Sequence, residues 1–218
     1  MSVRDQFTDR ELEAIRLATQ EAELKTGGEL VCVIVNRCDT YQGPIWQAAT
    51  LGSVGGAVAA GIAWAWVDPW VLTPLAWILL PSLVGATLGL SAAWFVPSLR
   101  RWLTPAPVLD RRVDRGAAAA FLEEEVFATR ERTGVLLFIA LLEHQIRVLP
   151  DRGVEERVPE ESWQPISDQL VAGLRSGRRG EAIVKAIAAC GALLVDHGVA
   201  RRQDDQNELA DEPRLLDD

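Results

Sequence analysis

The carboxylates Asp151, Glu155 and Glu156 stand close together behind an apolar run, and Asp39 follows an earlier apolar run in the same way. Hard cations take several oxygen ligands from loops, so these four are the candidate metal ligands, with a divalent cation, Ca²⁺ or Mg²⁺, as the cofactor. The plainer reading is a solvated acidic turn. Carboxylates further on (Asp204, Asp205, Glu208, Asp211 and Glu212) lack the spacing and central glycine of an EF-hand loop and read as solvated charge. The thiols are placed less well for chemistry. A thiolate that attacks phosphate needs a low pKa and an arginine, commonly about six positions on. At that spacing Cys32, Cys38 and Cys190 are followed by Cys38, Pro44 and Asp196. Three cysteines without a C-x-x-C pair read as reduced thiols, which suits a cytoplasmic domain. His144 falls in a turn, and His197 at a helix end, where an imidazole meets the last carbonyls. No P-loop, G-x-S-x-G or H-E-x-x-H motif is present, nor an Asp-x-Asp after a strand, so no catalytic residue is assigned. A formal charge of -9 offers no basic footprint, which argues against nucleic acid as a partner.

The elements that carry these residues are divided by a long apolar insertion. Between Asp39 and Arg100 the only charged residue is Asp68, which with Pro69 separates two apolar runs, Ile45 to Val67 and Val71 to Val96. Each exceeds the roughly 20 residues that cross a hydrocarbon core, so the sequence predicts a transmembrane hairpin over 45–67 and 71–96. Trp46, Trp64, Trp66, Trp70, Trp94 and Trp102 lie near the ends of the runs, at headgroup level, and only Trp77 is internal. Gly52 with Gly56, and Gly85 with Gly89, give each helix a small-residue pair where the two backbones can approach. Pro74 and Pro81 are expected to bend the second helix. Arg37 precedes the hairpin, Arg100, Arg101, Arg111, Arg112 and Arg115 follow it, and the connecting turn has no cation. The positive-inside rule then puts both termini on the cytoplasmic side of a multi-pass inner (cytoplasmic) membrane protein. The alternative is a buried helical hairpin inside a soluble protein.

The remaining chain, 1–40 and 105–200, is long enough for one compact domain. Thr8 and Glu11 form a capping box with Phe7 and Leu12 as a staple. The helix they start carries Leu12, Ile15, Ala18 and Ala22 inward and ends at Gly27-Gly28. Leu30 to Val35 and Val135 to Leu142 read as strands buried on both faces. Ile146 to Leu149, interrupted by Arg147, reads as a strand nearer the edge. Helices are expected from Asp110 to Glu131, Glu160 to Arg175 and Arg179 to His197. The order implies an α/β class fold, a small α/β/α sandwich with a mixed sheet, interrupted by the two-helix transmembrane hairpin. Residues 201–218 are polar and acidic without periodicity and are expected to form a disordered tail.

Three segments carry a resemblance to a known family. They are TGVLLFIALLEHQIRVL from Thr133 to Leu149 with Asp151-Arg152-Gly153 after it, the Trp163 helix with Leu170 to Gly177, and DQNEL from Asp205 to Leu209. Together they resemble the TPM domain, in its bacterial membrane-inserted branch. The family is named from a thylakoid lumen protein, a photosystem II repair protein and a nematode modulator of acetylcholine receptors. Ala210 stands where that tail pattern has proline. The resemblance implies an α/β/α sandwich, acid phosphatase activity in plant relatives, divalent-cation binding in some members, and a link to assembly or repair of membrane complexes. The expected function is therefore a non-catalytic binding or assembly module at the cytoplasmic membrane surface, with the lipid bilayer and another membrane protein as partners. The competing expectation is a cation-dependent acid phosphatase.

Overall fold

The computed structural model describes residues 2–66, 73–199, 201 and 207–217. It divides into a soluble unit, residues 1–39 and 109–218, and a hairpin unit, residues 40–108. Asp68, Trp70, Asp204 and Asp205 lie outside the described residues.

In the soluble unit, Thr8 caps α1 (Asp9–Glu23) through the capping box, with Thr8 N donating to Glu11 Oε2 at 2.8 Å and Glu11 N donating to Thr8 Oγ1 at 3.2 Å. Strands β1 (Glu29–Val35) and β2 (Gly134–Ala140) are buried along their full length and pair in parallel. β3 (Gln145–Pro150) pairs antiparallel to β2, and with β4 (Arg214–Leu216) the sheet order is β3-β2-β1-β4. Alternation along the two central strands sorts their side chains between layers. Leu30, Cys32 and Ile34 of β1, with Val135, Leu137 and Ile139 of β2, pack against Ile15 of α1, Leu170 of α7 (Gln164–Arg175) and Ile183, Ile187 and Leu194 of α8 (Arg179–Asp196). Val31, Val33, Leu136 and Phe138 face Val113, Ala117 and Ala120 of α5 (Ala106–Glu123). Helices thus cover both faces of a mixed sheet, the expected α/β arrangement.

Two expectations need correction. The helix expected from Asp110 to Glu131 starts earlier and stops at Glu123. Beyond it, Glu125 adopts a left-handed φ of 50°, and Val126 turns inward to full burial. The chain must reverse there to reach β2, and a Cβ on Gly134 would sit 2.1 Å from Val126 O, so this crossing requires glycine. The tail is not devoid of structure either: Arg214–Leu216 form β4, parallel to β1. Leu215 packs on one core cluster, and Leu209 and Leu216 on the other. A three-residue strand is too short for periodicity to reveal; the unpaired edge of β1 selects it.

In the hairpin unit, α2 (Gln42–Trp64) and α3 (Pro74–Phe95) are both long and apolar enough to cross a membrane. Their backbones touch at the glycines. A Cβ on Gly52 would lie 2.1 Å from Gly85 O, on Gly56 2.1 Å from Pro81 O, and on Gly89 2.2 Å from Ala48 O. Trp77 Nε1 donates to Ala60 O at 2.9 Å, and its ring meets Trp64 edge-on. Pro74 occupies the first turn of α3 behind the Thr73 cap, where it has no helical bond to break, so of the two prolines only Pro81 is interior. A short helix the sequence reading missed, α4 (Pro97–Leu103), packs Leu99 and Leu103 on Ile45, Ala48 and Ala93.

Candidate functional site

The soluble unit gives up the chain at Asp39 and receives it again at Leu109, beside the C-terminal ends of β1 and β2. Crevices at the C-terminal ends of parallel strands are where open α/β sheets place ligands. Here Asp39 pairs with Arg112 at 3.1 Å. Glu143, in the β2–β3 turn, is completely buried, and its Oε1 accepts from Cys38 N at 2.9 Å. Asp110 accepts from Gln145 at 2.8 Å, and Asp114 accepts from Arg147 Nε at 2.6 Å. On the other side Arg179 donates to Gln6 at 2.8 Å, and Gln6 donates to Asn36 at 3.1 Å. These bonds form a polar network that ties Asp39 to α5, and Asp110 and Asp114 of α5 to the β2–β3 end of the sheet. Burial first, then the Glu143 carboxylate, pushes the Cys38 thiol well above its usual range. Burial also pushes Cys32 and Cys190 up to about 12. All three stay protonated thiols at neutral pH and are poor nucleophiles.

Three of the four carboxylates expected to hold a cation, Asp39, Asp151 and Glu156, are paired with arginines. Asp151, 4% exposed, accepts from Arg132 Nη2 at 2.9 Å, lies 2.7 Å from Arg132 Nε in an ion pair, and caps the short helix α6 (Arg152–Glu155) by accepting from Arg152 N at 2.8 Å. Glu156 pairs with Arg152 at 3.0 Å, and Glu155 is exposed. Among the described residues no group of three or more His, Cys, Asp or Glu is arranged to hold a metal ion. His144 is half-buried with a left-handed φ of 51°, and His197 Nδ1 lies 3.0 Å from Leu193 O at the end of α8.

Two carboxylates escaped the sequence reading. One is Glu143. The other is Glu23, raised to about 9 chiefly by burial and then by Glu29 and Asp211, while the Leu30 N–H it accepts at 3.0 Å pulls the other way. Its signal was available: Glu23 lies eight residues after Ile15, on the inward stripe of α1.

A groove of about 690 Å³ lies between β3 and α7, with Trp163, Glu155, Glu160, Asp168 and Arg175 among its walls. In the hairpin unit Trp46, Trp64, Trp66, Trp94 and Trp102 are exposed near the helix ends. Arg100 caps α3, donating to Ala93 O at 2.6 Å and Trp94 O at 2.9 Å with its guanidinium over the Trp94 ring. Arg101 is half-buried on α4.

Residues 109–193 match the family model of the TPM domain. Over that stretch the soluble unit is similar to the TPM domain. The match begins at Leu109, where the chain returns from the hairpin unit, and runs through β2, β3 and α7 nearly to the end of α8. The chain is also similar in structure to the BA42 protein of the psychrophilic bacterium Bizionia argentinensis, solved by NMR, with a TM-score of 0.56 and 16% identity over 95% of this chain and 94% of that one. At that identity the likeness is one of fold. No curated protein sequence matches the chain.

Proposed function

We propose that this protein is a membrane-anchored TPM domain that works without catalysis, binding another membrane protein at the cytoplasmic surface of the inner membrane. The observation that carries the reading is the exposed apolar surface of the hairpin unit. Leu51, Val54, Val58 and Ile62 of α2, and Leu75, Leu79, Leu83 and Leu88 of α3, each expose about half or more of their surface. A soluble protein rarely presents an apolar surface of that extent to water, whereas a bilayer covers it. The cations Arg37, Arg100, Arg101, Arg111, Arg112 and Arg115 flank the hairpin on both sides and favour two cytoplasmic termini. The protonated cysteines and the arginine-paired carboxylates Asp39, Asp151 and Glu156 support a binding role over a reactive one.

The test has two arms. Membranes washed with alkaline carbonate retain the protein, and photo-crosslinkers placed on the soluble unit in cells capture a discrete membrane-protein partner. Release by the wash defeats the anchor. Hydrolysis of a phosphomonoester by the purified full chain, lost on Asp151→Asn, would overturn the non-catalytic reading in favour of a phosphatase.

A further inference from the structure

β3 is the outer strand on one side of the sheet, and its free edge borders the groove beside α7. Its register decides which backbone groups point outward. Asp151 N donates to Gly134 O at 2.8 Å. In the antiparallel β2–β3 pairing, residues 151, 149, 147 and 145 therefore face β2, and residues 146, 148 and 150 turn their backbone groups away from it. Proline fits at 150 because its nitrogen has no ladder bond to lose. Ile146 O accepts from the Arg147 guanidinium at 3.0 Å. Among the described residues nothing pairs with the N–H groups of Ile146 and Val148 or with Val148 C=O. Trp163, which also lines the groove, is 5% exposed and has an indole N–H without an acceptor.

Folded proteins usually blunt an edge strand with lysine, a bulge, proline or a covering loop. Here Pro150 blunts only one end. The charges around the groove are unequal. Glu155 and Glu160, in the connection after Pro150, and Asp168 on α7 are exposed carboxylates, and Arg175 is the cation opposing them, since Arg147 is already held by Asp110 and Asp114. Unsatisfied strand donors beside an acidic groove suit an extended segment whose backbone completes the ladder and whose side chains bring positive charge.

We propose that the β3 edge and the α7 groove bind an extended, basic segment of a partner protein, which joins the four-stranded sheet as a fifth strand. A strand of about five to six residues matches the length of β3. This inference rests on the reading of the domain as a binding module and names the partner's chemistry.

The full chain in lipid nanodiscs is titrated with two fluorescent heptapeptides of alternating valine and threonine, one flanked by lysines and the other by glutamates. Amide exchange is followed at Ile146 and Val148. The lysine-flanked peptide saturates, slows exchange at both amides, and binds about tenfold tighter than its acidic counterpart, the scale of one or two charge-assisted contacts. Methylating alternate peptide nitrogens abolishes binding. Val148→Pro, which removes an outward N–H together with the Val148 side chain that packs on the core, weakens it about tenfold. The double change Glu155→Lys, Glu160→Lys, on exposed residues outside the core, reverses the charge preference and serves even if the proline variant misfolds. Absence of saturable binding, or binding that leaves both amides unprotected, overturns the proposal. Protection without peptide that grows with protein density overturns it too, because a second copy then occupies the edge. If crosslinking in cells still captures a partner at another face, the binding-module reading stands and only this docking edge falls.

Discussion

Replacing Glu23 by glutamine should make the soluble unit more stable at alkaline pH and remove a defined part of its pH dependence. Glu23 ionises at about 9 in the folded chain against 4.5 for the ordinary carboxyl, because burial and the neighbouring Glu29 and Asp211 disfavour its charge. Below pH 4.5 both folded and unfolded chains hold the proton, and the group costs nothing. Between 4.5 and 9 the folded chain holds one proton more than the unfolded chain, so stability falls as pH rises, by about 1.4 kcal/mol per unit. Above 9 both states are ionised and the loss is complete. At pH 7 the unscreened figure is about 3 kcal/mol, and partial solvent exposure brings the expected difference to about 1–3 kcal/mol. Glutamine is neutral throughout and keeps an oxygen for the Leu30 N–H that Glu23 accepts at 3.0 Å. The assay is amide exchange on β1 and α1 in the full chain in detergent micelles, from pH 5 to 9, for both proteins. The stability gap should open from near zero at pH 5 and widen toward pH 9, with Glu23→Gln the more stable. A gap that is constant with pH, or that closes as pH rises, refutes the assignment of a buried, protonated carboxyl.

Other positions give separate checks. Gly85→Ala puts a Cβ 2.0 Å from Gly52 O and should lower the melting temperature of the hairpin in detergent, at about 1–3 kcal/mol, whereas Gly55→Ala, with nothing within 4 Å, should be neutral or stabilising by up to about 1 kcal/mol. Arg132→Ala leaves the Asp151 carboxylate buried without its arginine partner and should cost about 3 kcal/mol in unfolding experiments; adding Asp151→Asn should recover part of that loss, since the remaining group is then neutral. Ending the chain before Asn207 removes β4 together with Leu209, Leu215, Leu216 and the Arg214–Glu124 pair, and should speed amide exchange at Asn36, whose N–H donates to Leu216 O. If exchange there is unchanged, β4 contributes nothing to the sheet.

Local chemistry made much of the architecture legible. The capping box of Thr8 and Glu11 works through neighbours three residues apart, and it forms as written. The all-apolar runs of β1 and β2 announced strands covered on both faces, and Arg147 marked β3 as the edge it is. The apolar runs of the hairpin, with their paired glycines, gave two helices whose backbones meet at those glycines. What the sequence alone could not decide depends on partners far along the chain. A helix stripe does not say where a tertiary crossing will end it, so α5 stops at Glu123 to let Val126 reach the core and Gly134 start β2. Three residues of the tail became a strand only because β1 offered an empty edge. The acidic residues carry the same lesson for the site. Asp39 and Asp151 looked available because sequence spacing is blind to Arg112 and Arg132, which neutralise them in the fold. Glu23 and Glu143 looked ordinary because burial, which sets the charge of the one and fixes the other against Cys38 N, exists only once the chain has packed.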